Sequence, residues 1–191
     1  MFSLNPIHAR WAFVGMAVLM AVTRWHHAEG PSLPDASLAV FFLAGLYLGN
    51  AGAFALLLGE AFLIDYLAIA HFGVSDYCIS SAYGFLVPTY GVMWLAGQRT
   101  ARFQGLNLVS VPGIGAVLAA ATSLAFVISN GSFYLFSGRF GQVSPVQYGS
   151  WVAQFYFPEL GAALSYSALA IGLHAAFRAL SERRLRQAHS G

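Results

Sequence analysis

Charge is what this 191-residue chain lacks most. Only 8% of its residues are Asp, Glu, Lys or Arg, against 58% hydrophobic ones, where a soluble domain carries roughly a quarter charged residues. That shortage excludes a soluble globular domain and points to an integral membrane protein. Lysine is missing altogether, so the net charge of +2 rests on nine arginines scattered along the chain. A charge so small and so dispersed excludes a nucleic-acid surface. There is a single cysteine, Cys78, and hence no internal disulfide. With no second cysteine and no His-x-x-x-His spacing there is no protein-only zinc site either. The chain has no Walker A pattern, so any ATP-driven step requires a partner subunit, and no repeat long enough for an inverted-repeat transporter.

Long apolar runs are what remains. Uninterrupted runs near the roughly 20 residues that cross a hydrocarbon core of about 30 Å read as helices, not as the alternating strands of an outer-membrane barrel. The expected fold is all-α: one transmembrane domain over residues 1–191, a bundle of six spans at about 7–24, 36–49, 52–70, 81–97, 111–129 and 157–180. The first run follows Arg10 and resembles a signal peptide, but it ends in Arg24-Trp25-His26-His27 without a small-x-small cleavage site, and it is read as a retained span. Asp35 is the expected N-cap of the second helix. Gly49-Asn50-Ala51-Gly52 breaks an apolar stretch too long for one span. The sixth span is expected to open at Phe157-Pro158-Glu159, leaving residues 130–156 as a long Gly-, Ser- and aromatic-rich loop of the kind that carries function. Arg10, Arg99, Arg102, Arg183, Arg184 and Arg186 fall on one side of this arrangement and only Arg24 and Arg139 on the other, which places both termini in the cytoplasm. The His26/His27 loop, the loop at 71–80 and the loop after Asn130 then converge on the outer surface.

Few residues within this frame can carry chemistry. Asp65 and Glu60 lie inside the third apolar run, where a carboxylate costs a few kcal/mol unless it faces a partner or a cavity. Asp65, about 9 Å below the outer end of its helix, is read either as lining an outward cavity or as a buried hydrogen bond to a neighbouring helix. The second reading is favoured for Glu60. Cys78 follows Asp76 and Tyr77 and has no Arg or Lys within fifteen residues, so nothing local lowers its thiol pKa. An electrophilic metal would deprotonate it outright, which makes a ligand role less demanding than an autonomous nucleophile role. The ordinary role of a lone cysteine is that of a small buried hydrophobe. Tyr83, five residues beyond Cys78, is the better pocket candidate, whereas Tyr90 and Trp94 are expected in an interfacial belt. His26, His27 and His71 read as interface residues. The spacings Ala17-x-x-x-Ala21 and Gly45-x-x-x-Gly49 permit close helix approach, within the chain or toward a partner.

The segment from Asp65 through Asp76-Tyr77-Cys78 and Tyr83 to Tyr90, set in a six-span chain of this length, resembles the BtuM family of cobalamin transporters. These are solitary relatives of the substrate-binding S-components of energy-coupling-factor transporters. The resemblance implies a six-helix bundle in the bacterial inner membrane, with a cavity open to the outside and closed by the loops after the first, third and fifth helices. It implies cobalamin or a related corrinoid as the bound, cobalt-containing substrate, with Cys78 as axial ligand to the metal. Asp65 and Tyr83, with Asp76 and Tyr77, would orient the corrin's amide fringe or the cysteine. Four equatorial ring nitrogens already hold the cobalt, so a protein need offer a single axial donor. Uptake is the implied activity, and an energising module is the implied partner, which Ala17 and Ala21 would dock. A thiolate on Co(III) donates electron density toward the opposite ligand, so decyanation of cyanocobalamin at Cys78 is a chemistry open to such a protein. Two other functions stay open: a membrane enzyme with Cys78 as nucleophile, served by Arg139 and an outer histidine as in exosortase-like transpeptidases, and an S-component for a different vitamin.

Overall fold

A computed structural model describes residues 4–24, 33–103 and 111–190, with Cys78, Phe103, Val111, Arg184, Leu185 and residues 188–190 described by their backbone alone. Among these residues there are six α-helices and no strand: α1 (Pro6–Arg24), α2 (Ser37–Tyr47), α3 (Ala51–Phe72), α4 (Leu86–Phe103), α5 (Val111–Phe136) and α6 (Pro145–Ser190). Two 3-10 turns, Asp76–Cys78 and Ser81–Phe85, separate α3 from α4. Four helices are long and apolar enough to cross a membrane: α1, α3, α5 and α6.

The second expected span is the first correction. α2 has 11 residues and a length of about 16 Å, too short for the hydrocarbon core. It is apolar on every side because protein surrounds it, and every residue from Ser37 to Leu46 is buried. An all-round apolar sequence reads the same whether lipid or protein is its neighbour. Phe41, Phe42 and Leu43 of α2 form the centre of the core with Met20, Leu57 and Met93. Its closest neighbour is α4. A Cβ added to Gly45 would overlap the Trp94 carbonyl, and one added to Gly97 would overlap the carbonyl of Phe42, so the two glycines let these backbones touch. Gly45 therefore serves internal packing. Gly49 has a different task, at φ +65° just past the helix end, where its N–H closes on the Ala44 carbonyl as a left-handed cap does. Asn50 then caps α3, accepting from the Ala53 N–H at 2.7 Å.

The last helix is the second correction. α6 starts at Pro145, twelve residues before the expected start, and runs on through the basic tail to Ser190. Ser144 accepts from the Gln147 N–H and Pro145 occupies the first helical position. This is the start signal that sequence reading assigned to Pro158, which in fact lies inside the helix. Tyr148, buried and donating to the Asn130 carbonyl at 3.0 Å, holds this Gly- and Ser-rich first part against α5. The expected 27-residue loop shrinks accordingly, because α5 extends to Phe136. Asp35 acts one residue off its expected role: its carboxylate accepts from both the Ser37 N–H and the Ser37 hydroxyl, although Ala36 occupies the cap position. Ala17 of α1 packs against the core.

Candidate functional site

α1 ends at Arg24, and its guanidinium ties together four other parts of the chain. Nε donates to Asp65 Oδ1 at 2.7 Å and Nη2 to Asp65 Oδ2 at 2.6 Å, a two-point clamp between planar groups that is the strongest form of this pair. Nη1 donates to the Tyr90 hydroxyl at 2.6 Å and to Ser37 Oγ at 3.0 Å, and lies 3.5 Å from Asp35. The arginine side chain is 10% exposed and Asp65 is 22% exposed, so this is a largely buried pair whose partners are also hydrogen-bonded. Such satisfaction is what makes a charge tolerable away from water. Thr23, one residue earlier, accepts from the Ala36 N–H at 3.1 Å and donates to the Leu19 carbonyl, fixing the end of α1 to the start of α2.

Tyr83 completes the cluster from the second 3-10 turn, donating to Asp65 Oδ2 at 2.6 Å. An ionised carboxylate only accepts, so the phenol is the donor of this bond. Tyr90 stands behind, its ring stacked on Phe41 at 4.2 Å between centroids. It is 4% exposed, which corrects the interfacial-belt reading: its hydroxyl is an internal acceptor for Arg24. Trp94 also packs into the protein, its ring 5.3 Å from that of Phe54.

This cluster forms one wall of a cavity of about 550 Å³. Arg24, Asp35, Asp65 and Tyr83 supply its charged and phenolic part. Ser75, Ser129, Asn130 and Gln154 supply neutral polar groups, and Phe133, Phe140, Trp151 and Phe155 supply flat aromatic surface. A few polar groups converging in a largely apolar cavity is the usual form of a small-molecule site. Asp65 thus lines a cavity and also bonds a neighbouring helix. Glu60, five residues away, is half-buried.

The structure joins Asp65 and Tyr83 by a hydrogen bond, whereas Asp76 and Tyr77 are not among the residues lining the cavity. Both belong to the first 3-10 turn and both are exposed. Tyr77 meets the edge of Phe133 at 5.8 Å and carries the Arg139 guanidinium over its face at 4.3 Å. The backbone of Cys78 closes this turn, while its side chain lies outside the described residues, as do His26 and His27. His71 is exposed at the end of α3. Among the described residues, no group of three or more His, Cys, Asp or Glu stands ready to hold a metal ion.

Sequence reading missed Arg24, which entered only as a charge that helps orient the bundle. One signal was present: two opposite charges, each near the same end of its own apolar run, are expected to pair in a medium that penalises either one alone. The sequence matches no known family model, and no curated protein matches it.

Proposed function

We propose that this chain binds and takes up a corrinoid across the bacterial inner membrane, with six membrane-embedded helices, α2 enclosed among the others, both termini in the cytoplasm and the cavity opening outward. The observation that carries this reading is the hydrogen bond from Tyr83 to Asp65 at the cavity wall. These are two of the four residues named beside the cysteine in the resemblance to cobalamin transporters, and they sit 18 positions apart in sequence. The mixture of wall groups suits a large amphipathic ring. Aromatic faces lie against its apolar face, and Asn, Gln and Ser side chains meet its amide fringe.

On this reading Cys78 acts by ligand substitution. The metal promotes loss of the thiol proton to solvent, and the thiolate replaces the base on one axial face of Co(III). Donation from sulfur weakens the bond on the opposite face, where cyanide leaves with its electron pair and water takes its place. Cobalt remains Co(III), so the exchange needs no reductant. Asp65, pinned by Arg24, and Tyr83 orient the ring's amide donors and acceptors and take no part in the bond changes.

The test is alkylation of Cys78 by a small maleimide in the detergent-purified full chain, with and without aquocobalamin. Strong protection by the corrinoid is expected. Rapid alkylation at neutral pH that the corrinoid leaves unchanged would overturn the reading in favour of a thiol nucleophile.

A further inference from the structure

Two short 3-10 turns follow α3, and they are fastened to the α5 end of the molecule in different ways. The second is held firmly: Ser81 donates to the Phe136 carbonyl, and Phe85 stacks on Phe136 with centroids 5.0 Å apart. Among the described residues, the hydrogen bonds of the first, Asp76–Cys78, are local ones, from the Tyr77 N–H to Ser75 and from the Ile79 N–H to the Asp76 carbonyl. The Tyr77 ring ties this turn to the α5 end of the molecule. One contact of that ring is with Phe133 of α5, and Phe133 in turn meets Phe140 edge-on at 5.6 Å. The other is Arg139, whose guanidinium lies over the ring face at 4.3 Å.

Arg139 belongs to the segment between α5 and α6, which turns at Gly138 with φ +73°. It makes no ion pair with a carboxylate among the described residues, although the exposed Asp76 is the immediate neighbour of Tyr77 in sequence. Val74, Ser75 and Ile79, which flank Tyr77 in sequence, line the cavity, and so do Phe140, next to Arg139 in sequence, and Phe133. The cation over the ring therefore joins two segments that border the same cavity.

We propose that Arg139 is a positioning residue: laid over Tyr77, it latches the turn that carries Cys78 to the α5–α6 segment and so presets that turn for bonding to the substrate metal. The functional part of this inference rests on the corrinoid reading, whereas the latch itself does not. A cation over an exposed aromatic face is a modest interaction, which corresponds to a shift of about two- to five-fold between latched and free turn.

The latch is read first without any corrinoid, as the rate of Cys78 alkylation by a small maleimide in the detergent-purified full chain. Arg139→Gln and Tyr77→Leu are each expected to raise that rate about two- to five-fold, and the double variant no further than either single one, because both remove the same contact. Tyr77→Phe keeps the ring face and is expected to react at the wild-type rate, which also reports that the turn still folds. The second readout is stopped-flow absorbance after mixing with aquocobalamin. The cobalt–sulfur band is expected to develop more slowly in Arg139→Gln by the same factor and to reach the wild-type spectrum. Unchanged alkylation in both single variants, or effects that multiply in the double variant, would overturn the latch. If the wild type itself gives no cobalt–sulfur band, the corrinoid reading fails, and the alkylation rates still decide whether the latch exists.

Discussion

Replacing Arg24 by Met removes the hub of the cavity wall while keeping a long unbranched side chain in its place. The substitution deletes both bonds to Asp65, at 2.6 and 2.7 Å, and those to Tyr90 and Ser37. Loss of hydrogen bonds is the smaller part of the cost. The larger part is that Asp65, 22% exposed, keeps a charge with no cation beside it, and breaking a buried pair from one side costs about 3–5 kcal/mol. For a chain of this size that corresponds to a drop in Tm of roughly 6–20 °C. The assay is thermal unfolding of the detergent-purified protein, run with Asp65→Asn and with the double variant. The Asp65→Asn change keeps an oxygen that accepts from Tyr83 and brings no charge, so the double variant is expected to recover at least about 2 kcal/mol relative to the sum of the single effects. Additive losses in the double variant, or an Arg24→Met protein within about 1 kcal/mol of wild type, would show that the clamp is not a buried, mutually dependent pair.

Two further expectations test other parts of the structure. Gly45→Ala places a Cβ against the Trp94 carbonyl, and since backbone cannot swing aside, α2 and α4 must separate at a cost of about 1–3 kcal/mol, measurable in the same unfolding assay. The same change at Gly59, where an added Cβ meets nothing within 4 Å, is expected to cost nothing measurable, and equal losses at both sites would refute the close-packing argument. Tyr83→Phe removes the hydroxyl that donates to Asp65 Oδ2 and leaves the ring in place beside Phe62. A hydrogen bond to a carboxylate contributes about 1.5–3 kcal/mol, so stability is expected to fall toward the lower end of that range, given that the residue is only part-buried, and an unchanged unfolding temperature would contradict the bond.

The all-helical class was legible because low charge and long apolar runs are compositional facts that survive any arrangement in space. What was not legible depends on neighbours. α2 was read as a span because ten consecutive residues without a polar face carry no information on whether lipid or protein surrounds them. Tyr90 was assigned to a belt for the same reason, since a tyrosine near the end of an apolar run fits a headgroup or an internal arginine equally well. The start of α6 was misplaced because Gly149, Ser150 and a cluster of aromatics argue against a helix locally. The contacts of Tyr148 with Asn130, Tyr134 and Phe140 override that preference. Asp65 and Tyr83 were found as individual candidates from their membrane depth and from the resemblance. Their common partner Arg24 lies 41 residues from Asp65, a separation that no local pattern spans. The short-range devices fared better: the turn at Gly49-Asn50 lies where composition placed it, and Asp35 bonds the start of α2 one residue from the cap position expected for it.

The visible absorption spectrum of detergent-purified wild-type protein after incubation with aquocobalamin, beside that of Cys78→Ala, tests the central claim most directly. The account predicts a bound corrinoid whose bands shift in the wild type and keep the positions of the free ligand in Cys78→Ala, because a cobalt–sulfur bond requires the thiolate. A wild-type protein that stays colourless after removal of free ligand, or an equal shift in both proteins, would contradict it.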